Sequence, residues 1–163
     1  MLRSRFLITF AALATIAAVA LSACGGDDGG APENLSKGEF ASKANALCTR
    51  AESERGQLLR QLSPTPSGAA DAQKLQRIVT IDRELVRRVD DLVPPQGEQD
   101  VVDRVLDAWR QRANVEHQYA DAVAAMQDPE TLAIFTESLA EVDVTANLSA
   151  TELGMTRCTR GAP

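Results

Sequence analysis

Three cysteines and one histidine carry most of the distinctive side-chain chemistry available to this 163-residue chain. Cys24 closes the run Leu21-Ser22-Ala23-Cys24 directly after an apolar stretch, while Cys48 and Cys158 lie far apart in the remainder. His117 has Ala113 and Ala120 as helical neighbours, which places it at the edge of a packed face. A ferritin-like di-iron bundle requires Glu-x-x-His pairs, and the residue three before His117 is Asn114. A haem held by His117 with Met126 or Met155 would rest on one helical histidine, and the chain has no CxxCH attachment motif. There is no Gly-x-Ser-x-Gly elbow for a nucleophile and no Walker or Rossmann glycine loop for phosphate. Two cysteines without a nearby histidine fall short of a zinc ligand set. Asp82 is the carboxylate that interrupts an apolar helical stripe, and a rim position or a pair with Arg77 or Arg83 accounts for it. These residues point to no catalytic group, no metal site and no cofactor.

The surroundings of Cys24 are more specific. Arg3 and Arg5 make the first five residues basic, and residues 6–21 are apolar except for Thr9 and Thr15. This arrangement reads as an export signal, and the apolar run is shorter than the roughly 20 residues of a membrane-spanning helix. Leu21-Ser22-Ala23-Cys24 resembles the bacterial lipobox, in which the cysteine is diacylated on sulfur and the signal is cut just before it. Residues 1–23 are thus expected to be a lipoprotein signal peptide and Cys24 the lipidated N-terminus of the mature chain. Gly25-Gly26-Asp27-Asp28-Gly29-Gly30-Ala31-Pro32 follows, and residues 24–35 read as a flexible tether. Removing Arg3 and Arg5 leaves 15 basic against 23 acidic residues, a formal charge of −8. That charge argues against a nucleic-acid partner.

The remainder, residues 36–163, reads as four amphipathic helices. Ser36-Lys37-Gly38-Glu39 matches a capping box, and apolar residues from Phe40 to Leu62 recur at three- and four-residue steps. Ser63-Pro64-Thr65-Pro66-Ser67-Gly68 stops this pattern, Asp71 can start the second, and Pro94-Pro95 ends it. Asp100 is the expected cap of the third. Asp128-Pro129-Glu130 has the order N-cap, N1 proline and first-turn acid, so Gln127-Asp128-Pro129 is either a turn or a kink in a longer helix. Gly154 suits the C′ position of the last helix. No stretch sustains a period of two. The expected fold is all-α, an antiparallel up-down-up-down four-helix bundle with helices of about 23–30 residues.

In an exported chain the leftover pair Cys48 and Cys158 is expected to form a disulfide. An even number of antiparallel helices brings the start of the first helix and the end of the fourth to one end of the bundle, where the pair can meet. Charge is unevenly distributed. Residues 36–112 hold 13 basic and 12 acidic side chains, whereas residues 113–156 hold eight acids and no Lys or Arg. Glu130, Glu137, Glu141 and Asp143 are therefore expected on an acidic face, either simply solvated or available to a basic partner. Trp109, on the apolar stripe of the third helix, is expected in the core, with a place in the lining of an interhelical pocket as the alternative.

Asn45-Ala46-Leu47-Cys48, Pro94-Pro95 and Leu153-Gly154-Met155 before Cys158 together resemble a pattern in uncharacterised small helical lipoproteins of actinobacteria. The resemblance implies export and a disulfide-tied helical domain, and it implies no activity. The expected function is that of a non-enzymatic domain, lipid-anchored on the extracytoplasmic face of the cell membrane, acting on a protein or envelope partner. A small-ligand-binding lipoprotein with an apolar pocket near Trp109 is the alternative. Cys24→Ser is expected to block processing and leave a precursor that retains Arg3 and Arg5. Intact-mass measurement checks this, and a mature chain cut before residue 24 without acyl mass would contradict lipidation.

Overall fold

The computed structural model describes residues 34–160. The expected signal peptide, Cys24 and the tether as far as residue 33 lie outside the described residues. Four helices follow in order: α1 (Lys37–Leu59), α2 (Gly68–Asp90), α3 (Gln99–Ala124) and α4 (Pro129–Glu152). Among the described residues there is no strand, and no helix is long and apolar enough to cross a membrane.

The helix starts show how local sequence sets the elements. Ser36 Oγ accepts from Glu39 N, and the Glu39 carboxylate accepts from Ser36 N at 2.9 Å, completing the capping box of α1. Asp128 accepts from Thr131 N at 3.0 Å and Pro129 occupies the first turn of α4, as expected. Two starts differ from expectation. Helix α2 begins three residues before Asp71, whose carboxylate reaches back to accept from Ser67 N at 3.2 Å and Ser63 N at 3.4 Å. Asp100 is a first-turn acid and not a cap, because Glu98 holds the N-cap position of α3 and turns its side chain to Lys37 at 2.9 Å.

The ends are equally legible. The apolar pattern of α1 runs to Leu62, but the helix stops at Leu59. Gln61 N and Leu62 N bond to the carbonyls three residues back, tightening the last turn, and Leu62 packs on the core from the loop. Gln127-Asp128-Pro129 is a turn, not a kink. Met126 adopts φ 52° and Gln127 N bonds to Ala122 O at 3.1 Å, a Schellman closure with a non-glycine residue in the left-handed position. Gly154 makes the equivalent closure after α4 with φ 76°, Met155 N bonding to Ala150 O at 2.8 Å.

The helices form the expected four-helix bundle. Helix α1 packs on α2, α2 on α3 and α3 on α4. One core cluster joins the start of α1 (Phe40, Ala44), the end of α2 (Leu85, Val89), the start of α3 (Val101, Val105) and the end of α4 (Ala146, Ala150). A second joins the start of α2 (Ala72, Leu75), the end of α3 (Ala120, Val123) and Leu132 of α4. These pairings make consecutive helices antiparallel.

The fourth side is closed differently. No Cα of α1 lies within 8 Å of a Cα of α4, and the C-terminal strap, residues 153–160, serves that seam. Leu153 and Met155 are buried in the first cluster. On the α1 side, the Asn45 side chain donates to Gly154 O at 3.2 Å and accepts from Arg157 N at 2.8 Å. On the α4 side, Asn147 Oδ1 accepts from Arg160 N at 2.7 Å. Cys158 is joined to Cys48 of α1, with a Cα–Cα distance of 5.1 Å. The expected pairing is formed, and both cysteines are buried.

The disulfide closes a loop with a sequence separation of 110. Chain entropy for a loop of that length gives about 4–5 kcal/mol of stabilisation. Reduction is expected to lower the melting temperature markedly while helical circular dichroism persists at room temperature. A melting curve with and without reductant, with free-thiol quantification, checks this.

Candidate functional site

Each helix carries a charged side chain into the interior between the two apolar clusters. Arg55 stands one turn after Ala51 on the buried face of α1, and Asp82 lies between Val79 and Leu85 on α2. Arg112 and Glu116 follow Trp109 and Ala113 on α3. Asp143 is on α4 and Arg160 ends the strap. These six side chains are between 4% and 13% exposed.

Asp82 is the hub. Arg160 grips it bidentately, Nη1 to Oδ2 at 2.8 Å and Nη2 to Oδ1 at 2.6 Å. Arg55 Nε stands 3.3 Å from Asp82 Oδ2, while Arg55 Nη2 donates to Glu116 Oε1 at 3.2 Å and Nη1 to Glu52 at 3.1 Å. Arg112 bonds the Glu116 carboxyl through Nη1 and Asp143 through Nε at 2.6 Å. The layer thus links α1, α2, α3, α4 and the strap. The Arg160–Asp82 and Arg112–Asp143 forks suit the fixed geometry of guanidinium donors, whereas Arg55 Nε is left without a hydrogen-bond partner.

Asp82 and Glu116 share the same two cations: Arg55 lies 3.3 Å from Asp82 and 3.2 Å from Glu116, and Arg112 Nη1, bonded to Glu116, is 3.8 Å from Asp82 Oδ2. Burial opposes ionisation of Asp82, but the hydrogen bonds and charge of Arg160, with the charge of Arg55, outweigh it and hold Asp82 at about 2. Burial, together with the adjacent Asp82 carboxylate, pushes Glu116 up from the ordinary 4.5 to about 7 against the pull of Arg112 and Arg55. Glu116 Oε2 is buried without a hydrogen-bond partner among the described residues. With Glu116 protonated, Asp82, Asp143 and Glu52 balance the three arginines. The layer can therefore hold helices in register and store one proton near neutrality. Two carboxyls with separated pKa values also suit acid–base chemistry, but here both oxygens of Asp82 and Oε1 of Glu116 are engaged by guanidinium groups inside the bundle.

Several expectations are corrected by this arrangement. Asp82 is neither at the rim nor paired with Arg77 or Arg83; those residues precede and follow it on the same helix, whereas Arg55 and Arg160 approach from α1 and the strap. Asp143 does not belong to an exposed acidic face, because its carboxylate is drawn inward to Arg112. Glu116, counted among the acids of that half, is buried. Trp109 is 5% exposed within the first core cluster, the core position expected of it. An apolar surface groove of about 230 Å³, floored by Leu47, Ala51, Ile81 and Leu85, lies between α1 and α2. His117 sits at the edge as expected, Nδ1 3.0 Å from Gln76 Oε1. Among the described residues no three His, Cys, Asp or Glu side chains converge as a metal ligand set. The signal that marks Arg55, Arg112 and Glu116 is positional: each occupies a stripe position where an aliphatic residue fits the period.

The outer face of α4 is the second feature. Glu130, Glu137 and Glu141 are exposed there as expected. Ile134, Val144 and Leu148 share that face and are 60%, 69% and 73% exposed. The six positions advance by steps of four and three residues, the spacing of one continuous helical seam. Among the described residues none of these three acids makes an ion pair, whereas Glu152 of the same helix is held by Arg104 at 3.4 Å.

The pH dependence of the layer has a definite sign. The folded chain binds the Glu116 proton more tightly than the unfolded chain does, so this contribution is full below about pH 4.5 and is lost as pH rises through about 7. Asp82 acts oppositely, contributing above its ordinary 3.8 and losing its contribution as pH falls through about 2. Glu116→Gln keeps the shape and removes the titration. Urea unfolding between pH 5 and 8 is expected to show wild-type stability falling by about 2–3 kcal/mol and the variant nearly flat. A parallel decline in both would refute the assignment.

Comparisons with protein-family models, with characterised proteins and with solved structures find no match.

Proposed function

We propose that this chain is a non-enzymatic, lipid-anchored extracytoplasmic domain that acts by contact with a protein or other envelope partner. The lipobox-like Leu21-Ser22-Ala23-Cys24 and the Gly/Asp-rich tether support anchoring and a domain held off the membrane. The observation that carries the contact reading is the outer face of α4. Three large aliphatic side chains stand exposed on one helix face with three unpaired glutamates between and beside them. Scattered surface aliphatics need no explanation, but an aligned set on a helix whose opposite face is already packed marks an interaction surface. The polar chemistry of the interior, by contrast, is consumed in holding the bundle together.

Substituting Glu130, Glu137 and Glu141 together with Gln leaves the buried layer intact, since Asp143 keeps its bond to Arg112. Capture of partners by the lipidated chain from detergent-solubilised membranes is expected to weaken, most strongly at low salt. Unchanged capture at low salt would return these acids to a purely solvating role.

A further inference from the structure

The α4 seam has a definite pattern along its length. Glu130 and Ile134 occupy its first part, Glu137 and Glu141 the middle, and Val144 and Leu148 the end. From residue 130 to 148 it spans about 27 Å at 1.5 Å per residue. Alternating steps of three and four residues are what one helix presents to a second helix lying along it. Beside the seam, Gln111, Val115, Val142 and Thr145 line a shallow groove between α3 and α4 that also borders Glu141. Helix α4 packs on α3, and the strap serves its other flank, so the outer face has no partner within the described residues.

We infer that this seam receives a basic amphipathic helix of a partner protein, which lays aliphatic residues against Ile134, Val144 and Leu148 and Lys or Arg against Glu137 and Glu141. The inference rests on the contact reading above and names the class of partner. Charge complementarity selects it. Residues 113–156 contain no Lys or Arg, and the α3 arginines that reach α4 are taken by Asp143 and Glu152, so the seam carboxylates, which make no ion pair among the described residues, attract a basic partner. A second copy of α4 would bring the same three glutamates against their equivalents. An anionic membrane surface would likewise meet like charge. A purely apolar helix would leave Glu137 and Glu141 desolvated without partners.

Photo-crosslinking tests this in the full-length lipidated chain within its own membranes. The photoreactive residue p-benzoylphenylalanine is placed at position 144, at position 148 or, as a control, at exposed position 57 on α1. Crosslinked peptides are identified by mass spectrometry. The expected result is crosslinks from 144 and 148, not from 57, to a helical segment carrying Lys or Arg at three- and four-residue spacing. Their yield should fall about tenfold in an Ile134→Ser, Glu137→Lys background, judged from the loss of one buried aliphatic contact and the reversal of one charge. Circular dichroism of that variant should match wild type because both positions are exposed. Crosslinks from 144 and 148 to lipid, to a second copy, or to an acidic or non-helical segment overturn the inference, as does an undiminished yield in the variant background. Crosslinks from position 57 alone overturn it while sparing the contact reading. Absence of protein crosslinks from all three positions overturns both.

Discussion

The bidentate contact between Arg160 and Asp82 is the constraint around which this bundle closes. Asp82 is the most deeply buried of the network side chains, and a carboxylate in that position demands cations. Arg55 supplies one from α1, but its Nε has no hydrogen-bond partner despite lying within ion-pair distance. The well-aligned fork comes from the last residue of the strap. Once Arg160 is seated, the strap has one course: through Cys158, bonded to Cys48, and past Asn45 and Asn147 on either flank. The seam between α1 and α4, where no pair of Cα atoms comes within 8 Å, is thereby closed by covalent, polar and apolar contacts together. Removing one partner from such a buried pair costs about 3–5 kcal/mol, mostly because the other charge is left uncompensated.

The division of the core follows from the same layer. Phe40, Trp109, Leu153 and Met155 pack on one side and Ile78, Val123 and Leu132 on the other, with charged groups between them. A uniformly apolar, alanine-rich bundle permits neighbouring helices to slip by a turn. Six mutually bonded charges permit one register, since a displaced helix would strand a carboxylate or guanidinium inside the core. The interior thus spends its ionic chemistry on specificity of packing. Helix α4 commits Asp143 inward and keeps its glutamates outward, which leaves an acidic and aliphatic surface unpaired.

Much of this fold was readable from local sequence, because its signals are short-range. The capping box at Ser36, the Asp128-Pro129 start, the Gly154 stop and the apolar stripes each act within a few residues. The leftover cysteine pair was readable for a different reason: antiparallel topology with an even helix count brings its two ends together. The ionic layer was not legible in the same way. Arg55 and Arg112 look like solvated charges until the neighbouring helix is in place, and Asp82 offers Arg77 and Arg83 as plausible local partners. Its actual partners lie 27 and 78 residues away in sequence, a distance no periodicity reports. Asp143 turns inward to Arg112, a direction that net charge along a segment does not report. Asp71 and Asp100 show the smaller version of the same limit, since a first-turn acid and an N-cap acid have nearly identical sequence signatures.

The central claim is that the strap completes the buried layer through Arg160 and Asp82, and a double-mutant cycle reads that coupling directly. Asp82→Asn, Arg160→Gln and the double variant would be compared with wild type by urea unfolding, the disulfide kept oxidised throughout. The account predicts a coupling energy of about 2–3 kcal/mol, with the double variant much less destabilised than the two single losses combined. Additive losses, with a coupling energy near zero, would contradict it.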